Sequence, residues 1–116
     1  MYDESSKTKY ESFIAALLEI DPAMTLIGAA TLLYVSRKQY AKSGTVTPSD
    51  IGKELSLSPS MASRVVYYLG EGINSTSVNG LGLMTMQIDA TDRRRRTVHL
   101  TKSGRDIIRK LNGIMT

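Results

Sequence analysis

The sequence predicts a mainly α fold with one small β-hairpin, an α+β class. Segments along the chain place apolar side chains three and four residues apart, which is typical of amphipathic helices. Two short segments, 83–88 and 97–100, instead alternate apolar and polar side chains, which is typical of antiparallel strands. Each of the three prolines directly follows Asp, Thr or Ser. This pairing marks helix starts, because the side chain caps the helix and proline fits its first turn.

Length and composition limit the classes of protein. A chain of 116 residues can bury one modest core, so we expect a single domain over 1–116. The absence of Cys and the single His exclude disulfides, Cys-ligated zinc and a His-rich metal site, and we expect no cofactor. The longest apolar stretches are about half of the ~20 residues that a membrane span needs, and the polar N-terminus is unlike a signal peptide. We therefore expect a cytoplasmic protein with no membrane partner.

The first third of the chain predicts a disordered lead-in over 1–7 and two helices over 8–42. Asp21-Pro22 is predicted to begin the second of these helices, as its N-cap and first residue. The apolar positions of the first helix are Phe13, Ile14, Leu17 and Leu18. The candidate core residues of the second helix are Leu26, Ile27, Ala30, Leu33 and Tyr34.

Residues 47–69 predict two short helices joined by a tight turn. Thr47-Pro48 and Ser58-Pro59 each supply a cap followed by proline, and Asp50 is placed to complete a capping box with Thr47. The helix lengths and the three- to four-residue turn between them are those of a helix-turn-helix. The candidate buried residues are Ile51, Leu55, Met61, Val65, Val66 and Leu69.

A glycine-rich polar loop, Gly70–Leu81, leads from this pair to a predicted hairpin over 83–100. A C-terminal helix over 101–114 follows, capped by Thr101. A hairpin directly after a helix-turn-helix is the winged-helix arrangement. The sequence therefore predicts a winged helix-turn-helix, with the hairpin as its wing.

Positive charge is concentrated at the wing. From Met84 to Thr116 the sequence has eight Lys or Arg residues against three Asp, although the whole chain carries only +4. The hairpin tip contains Arg93, Arg94, Arg95 and Arg96. Asp89 and Asp92 can pair with one or two of these arginines, which leaves at least two guanidinium groups for phosphates or a narrow minor groove. The alternative is a charged run that contacts only solvent.

The second helix of the helix-turn-helix is the candidate for entry into a major groove, which is wide enough for one helix. Its outward residues are predicted to be Ser58, Ser60, Ala62, Ser63, Arg64 and Tyr67. Serine hydroxyls can bond phosphates or base edges, and Ala62 can contact a thymine methyl. Arg64 is the best candidate for reading a guanine or clamping a phosphate. The same residues also fit an exposed helix with no ligand.

The segment 92–105 resembles the wing and following helix start of the MarR-type winged-helix transcription regulators, where Asp-x-Arg precedes a valine-like residue and Leu-Thr-x-x-Gly. The matching positions are Asp92, Arg94, Val98, Leu100, Thr101 and Gly104. Segments 51–55 and 57–64 look like the family's helix-turn-helix, and Gly82-Leu83 looks like its Gly-Leu before the wing. The resemblance covers roughly residues 22–111.

The resemblance implies roles for individual residues. Arg94 would insert toward the minor groove or a phosphate, with Asp92 holding its guanidinium and supporting the wing. Ser60, Ser63 and Arg64 would face the major groove.

The resemblance also implies partners. The family forms dimers through terminal helices, and the family's last helices continue beyond the point where this sequence ends. We therefore expect a homodimer to use the N-terminal helix and the C-terminal helix. The Gly70–Leu81 loop is longer than the family's usual link and is the candidate site for a protein partner.

The sequence is compatible with two functions. The first is a nucleoid-associated, sequence-specific transcription regulator that binds double-stranded DNA and acts as a repressor. The second is a winged-helix protein-interaction module, an adaptor or inhibitor of a nucleic-acid machine with weak DNA binding. An enzyme is disfavoured, because the sequence has no Cys, no Gly-rich phosphate loop before a helix and no paired carboxylates in an apolar context.

Overall fold

The computed structural model describes residues 6–42, 44–71 and 80–116. Within these ranges the helices are α1 (Lys9–Ile20), α2 (Leu26–Tyr40), α3 (Pro48–Leu55), α4 (Pro59–Leu69) and α5 (Lys102–Met115). The strands are β1 (Met84–Ile88) and β2 (Arg96–Leu100). This order confirms the mainly α class with one hairpin. The predicted lead-in falls mostly on residues 1–5, which lie outside the described residues. In the described ranges, each helix is too short or too polar to cross a bilayer.

The helix-turn-helix is fixed by its caps. The Thr47 hydroxyl accepts a hydrogen bond from the Asp50 N–H at 3.1 Å, and the Asp50 carboxylate accepts one from the Thr47 N–H at 2.9 Å. This is the capping box that the sequence predicts. The Ser58 hydroxyl caps α4 by accepting from the Met61 N–H at 3.2 Å. Ser56, between the helices, has a φ of 57°, a left-handed conformation that ends α3 sharply.

The predicted start of the second helix is wrong. Asp21 is the C-cap of α1, and α2 begins at Leu26 after its N-cap Thr25. The Asp21 carboxylate instead accepts a hydrogen bond from the Ala23 N–H at 2.9 Å. An Asp side chain that bonds the backbone two residues ahead forms a turn, so Asp21-Pro22 marks a turn here and not a helix start.

The predicted core face of α2 is also wrong at most of its positions. Leu26, Ile27 and Leu33 are 83%, 37% and 41% exposed, and of the five predicted core residues only Tyr34 is buried. The buried residues of this helix are Gly28, Ala29, Thr31, Leu32, Tyr34, Val35 and Ser36. Because α2 is apolar around much of its circumference, its periodicity does not select one face. Met61 of α4, predicted to be buried, is 43% exposed.

The core lies where α2 packs against the helix-turn-helix, the hairpin and α5. Its fully buried side chains include Leu32, Val35, Ile51, Leu69 and Leu111, contributed by α2, α3, α4 and α5. Burying a side chain of this size contributes about 1.5–3 kcal/mol relative to leaving it in water. These contacts hold the two helices of the helix-turn-helix at a fixed position relative to the rest of the fold.

The hairpin is joined to the helices at its base. β1 and β2 pair antiparallel, with Met84 opposite Leu100. On the other edge of β2, the Val98 N–H donates to the Val46 carbonyl at 2.7 Å. Because Val46 lies just before the cap of α3, this bond sets the wing beside the start of the helix-turn-helix.

Gly104 in the first turn of α5 approaches the hairpin too closely to allow a side chain. A Cβ at this position would overlap the carbonyl oxygen of Leu83, which is backbone and cannot move aside easily. Gly113, in the same helix, has nothing within 4 Å of the corresponding position. Alanine substitutions at these two glycines are therefore a matched pair, because both lie in α5 and only the one at Gly104 creates an overlap.

We predict that Gly104→Ala lowers the free energy of unfolding by about 1–3 kcal/mol, the usual effect of overpacking. Gly113→Ala, which removes only a flexible residue from a helix, should leave stability unchanged or raise it by up to about 1 kcal/mol. Urea unfolding followed by circular dichroism measures both. Equal stability of the two variants would contradict the close packing of α5 on the hairpin.

Candidate nucleic-acid interface

Helix α4 presents a polar face to solvent. Ser58, Ser60, Ser63 and Arg64 are exposed, and Tyr67 is half-buried. Ser58 is already engaged as the helix cap, and its hydroxyl lies 3.3 Å from that of Ser60. The side chains available on this face are therefore chiefly Ser60, Ser63 and Arg64.

Ala62 does not belong to this face, and the prediction that it contacts a thymine methyl is wrong. It is 1% exposed and lies against α3, where a Cβ on Gly52 would come within 3.7 Å of the Ala62 Cβ. Ala62 shares the inward stripe of α4 with Val65, Val66 and Leu69. A small residue is needed there because α3 and α4 pack closely, so the role of Ala62 is structural.

The four arginines of the wing tip are all exposed. The Arg94 side chain is 97% exposed, and its Nε lies 3.9 Å from an Asp92 carboxylate oxygen. The same oxygen accepts a hydrogen bond from the Arg94 backbone N–H at 3.0 Å. Asp92 thus fixes the backbone of the tip and makes only a long ion pair with the guanidinium. Among the described residues, Arg93 and Arg96 form no ion pair.

Arg95 differs from its neighbours because its side chain is engaged within the protein. Its Nη2 donates to the Thr45 hydroxyl at 3.0 Å, and its Nε lies 3.9 Å from an Asp89 carboxylate oxygen. Its side chain is 46% exposed, about half the fraction of Arg94.

Two open clefts link the wing to α4. The first, of about 480 Å³, lies between the wing and the start of α3 and is lined by Thr47, Pro48, Ser49, Asp92, Arg94, Arg95 and Arg96. The second, of about 290 Å³, lies between α3 and α4 and is lined by Pro48, Ser49, Gly52, Lys53, Leu57, Pro59 and Ser63. Because Pro48 and Ser49 line both, three of the wing arginines and Ser63 of α4 lie on one side of the molecule. We call this side the basic surface.

Sequence reasoning missed the contribution of α3 to the basic surface. Ser49 and Lys53 are exposed and line the clefts. They lie four residues apart, on one face of a short helix whose other face carries the buried Ile51. That spacing is the signal that could have identified them.

A hydrogen bond ties α4 to the corner between α1 and α2. The Tyr68 hydroxyl donates to the Asp21 carboxylate. Burial raises the pKa of Tyr68 to about 12, and the hydrogen bond to Asp21 and its negative charge add to that shift. The same bond, followed by the one from the Ala23 N–H, lowers the pKa of Asp21. The pair therefore joins α4 to the turn between α1 and α2.

An apolar groove of about 300 Å³ lies beside this pair, between the start of α2 and α4. It is lined by Ala23, Thr25, Ile27, Met61, Arg64, Val65 and Tyr68.

The loop predicted to bind a protein partner, Gly70–Leu81, lies mostly outside the described residues, which omit 72–79. Its ends lie close together, because the Leu81 N–H donates to the Tyr68 carbonyl at 3.0 Å and the Gly82 N–H donates to the Gly70 carbonyl at 2.8 Å. In the described part of the chain, no group of three His, Cys, Asp or Glu residues is placed to hold a metal ion.

Comparison with known proteins identifies the fold. No protein-family model and no curated protein matches the sequence. Among solved structures, a mutant of S. aureus MepR bound to an oligodeoxyribonucleotide superposes with a TM-score of 0.70 at 23% identity, over 92% of this chain and 67% of that one. The S. aureus MepR–DNA complex gives 0.68 at 25% identity, over 92% and 76%. MarR gives 0.63 at 19% identity, over 91% and 66%.

We predict that Tyr68 titrates near pH 12, so that Tyr68→Phe removes this step and the control Tyr10→Phe does not. Because the folded-state pKa of Tyr68 lies above the unfolded value of about 10, its contribution to stability is complete below pH 10 and is lost as the pH rises toward 12. Tyrosine ¹³Cζ shifts followed against pH measure the titration. An unchanged titration in Tyr68→Phe would contradict the Tyr68–Asp21 pair.

Proposed function

We propose that this chain, which has the fold of the MarR-type winged-helix regulators, is a DNA-binding regulator of transcription. The observation that carries the proposal is the basic surface, where the two clefts share Pro48 and Ser49. A duplex major groove admits one helix, and a hairpin beside that helix reaches the adjacent backbone or minor groove. The MepR structures that bind DNA have the same fold, which supports this use of the surface.

The residues divide into two roles. The exposed guanidinium groups of Arg93, Arg94 and Arg96 suit phosphates or a narrow minor groove, and such contacts supply most of the affinity of DNA-binding proteins. On α4, Ser60, Ser63 and Arg64 suit base edges. Arg64 can bond two acceptors of a guanine at once, so it is the main candidate for sequence recognition.

The polar contacts of Ser58 and Tyr67 are secondary. Ser58 acts first as the cap of α4 by accepting through its hydroxyl oxygen, so it would contact a phosphate by donating its O–H. Tyr67 is half-buried and lies at the edge of the exposed face. We propose that binding, and not catalysis, is the function, and that a bound protein represses by excluding others from the same DNA.

An exposed apolar stripe supports a homodimer. Tyr10, Ile14 and Leu18 repeat every four residues along α1 and are 74%, 46% and 44% exposed. Ile14 and Leu18 adjoin the exposed Leu26 of α2, and Met115 of α5 is 40% exposed. Adjoining exposed apolar residues of this kind usually mark an interface. We propose that α1 and α5 of two copies pack together and present two basic surfaces to one duplex.

The test is selection of bound duplexes from a random pool, followed by salt titration of the enriched sequence. A dimer should enrich two inverted half-sites about one helical turn apart. Arg94→Ala should reduce the slope of log affinity against log salt by about 0.9 for each bound protomer, and so by about 1.8 for the dimer, because one phosphate contact is lost at each basic surface. Arg64→Ala should relax the preference at one base pair of each half-site.

The control is Arg37→Ala, which removes the same charge from α2, where Arg37 pairs with Glu54 at 3.4 Å. Its salt slope should equal that of the wild type. A wild-type protein that enriches no sequence and shows no dependence on salt would overturn the proposed function.

A second candidate function is a winged-helix module that binds another protein. The apolar groove between α2 and α4 favours it, because Ile27 and Met61 are 37% and 43% exposed there. Under this alternative, DNA affinity would be no tighter than about 10⁻⁴–10⁻⁶ M at physiological salt, the range of non-specific binding. The same salt titration therefore distinguishes the two candidates.

A further inference from the structure

The wing arginines fall into two kinds, and only one kind is free to meet a ligand. Arg94 extends into solvent with a single long ion pair, whereas Arg95 reaches back to the chain segment before α3. The bond from Arg95 to Thr45 joins residues fifty positions apart. Such a contact restrains the wing tip relative to the segment before α3, whereas hydrogen bonds within the turn restrain only the shape of the tip itself.

Arg95 is held from two sides. Its Nη2 donates to the Thr45 hydroxyl at 3.0 Å, and its Nε faces the Asp89 carboxylate at 3.9 Å. Asp89 is itself held, since one of its oxygens accepts from the Thr91 N–H at 2.9 Å and from the Thr91 hydroxyl at 2.7 Å. The Thr91 hydrogen bonds, with a smaller contribution from the charge of Arg95, lower the pKa of Asp89, so this carboxylate stays ionised at neutral pH.

Thr45 lies at the point where the wing meets the helix-turn-helix. The next residue, Val46, accepts the hydrogen bond from the Val98 N–H at 2.7 Å, and the residue after it, Thr47, caps α3. The bond between Val46 and Val98 attaches the middle of β2. The bond between Arg95 and Thr45 adds a point of attachment nearer the tip.

We propose that Arg95 is a positioning residue, whose bond to Thr45 sets the distance between the wing tip and the start of α3, and that Arg94 and its exposed neighbours make the DNA contacts. The inference rests on the proposed function and deepens it. The base of the hairpin is also held to the helices by other bonds, such as the one from the Leu100 N–H to the Gln39 Oε1 at 2.9 Å, whereas the Arg95–Thr45 bond is made beside the tip. Without the Arg95–Thr45 bond, the exposed guanidinium groups of the tip would lose their fixed position relative to α4.

The first experiment needs no DNA. In the free protein, Thr45→Val removes the acceptor without changing charge, and Thr45→Ser keeps it. Thr45→Val should lower the ¹⁵N order parameters of the Arg95 Nε–H and of the amides at 90–94, and Thr45→Ser should match the wild type. Urea unfolding shows whether the variants remain folded. Unchanged order parameters in folded Thr45→Val would overturn the proposal.

The second experiment measures DNA binding against salt for Thr45→Val, Arg94→Ala and the double variant. Thr45→Val should weaken binding about three- to tenfold, the range for one net hydrogen bond. Its salt slope should also fall, by up to about 0.9 for each phosphate contact that the wing loses, although no charge is removed. The effect of Thr45→Val should shrink in the Arg94→Ala background, because the two residues act through one wing.

The outcomes separate the inference from the proposed function. Loss of affinity with an unchanged slope and strict additivity would mean that Thr45 contacts DNA directly, and would overturn the positioning role. A wild-type protein that binds no DNA would overturn the proposed function and the proposal that Arg94 and its exposed neighbours contact DNA. The order parameters would still show whether the Arg95–Thr45 bond restrains the wing tip.

Discussion

The hydrogen bond from Val98 to Val46 is the contact on which the basic surface depends. It joins β2 to the segment that enters α3, and the capping box of Thr47 and Asp50 begins one residue later. The wing and the helix-turn-helix therefore share one short stretch of backbone. Because hydrogen bonds hold this stretch both to β2 and to α3, the clefts on its two sides meet at Pro48 and Ser49, and separate elements form one surface.

Local chemistry made much of the fold predictable. The caps at Thr47, Ser58 and Thr101 each act through a residue three positions away, so their pattern is visible in the sequence. The start and buried face of α2 were not predictable in this way. Asp21-Pro22 suits a turn as well as a helix start, and α2 is apolar on several sides, so the choice of face depends on which neighbours pack against it.

The candidate site was predictable in its charge and not in its contacts. The arginine run and the serine-rich start of α4 identify the basic surface, whereas the distinct role of Arg95 depends on Thr45, fifty residues earlier. Tyr68 and Asp21 are likewise 47 residues apart. Long-range partners decide these two details. The inward position of Ala62 was predictable, because it lies three, four and seven residues before the buried Val65, Val66 and Leu69.

The central claim is that α4, the start of α3 and the wing meet one duplex together. The most direct measurement is amide hydrogen exchange of the full chain, free and bound to its selected duplex. We expect simultaneous protection at 49–53, 60–64 and 92–96, with the same dependence on duplex concentration at all three. Protection confined to one of these segments, or found only along α1 and α5, would contradict the account.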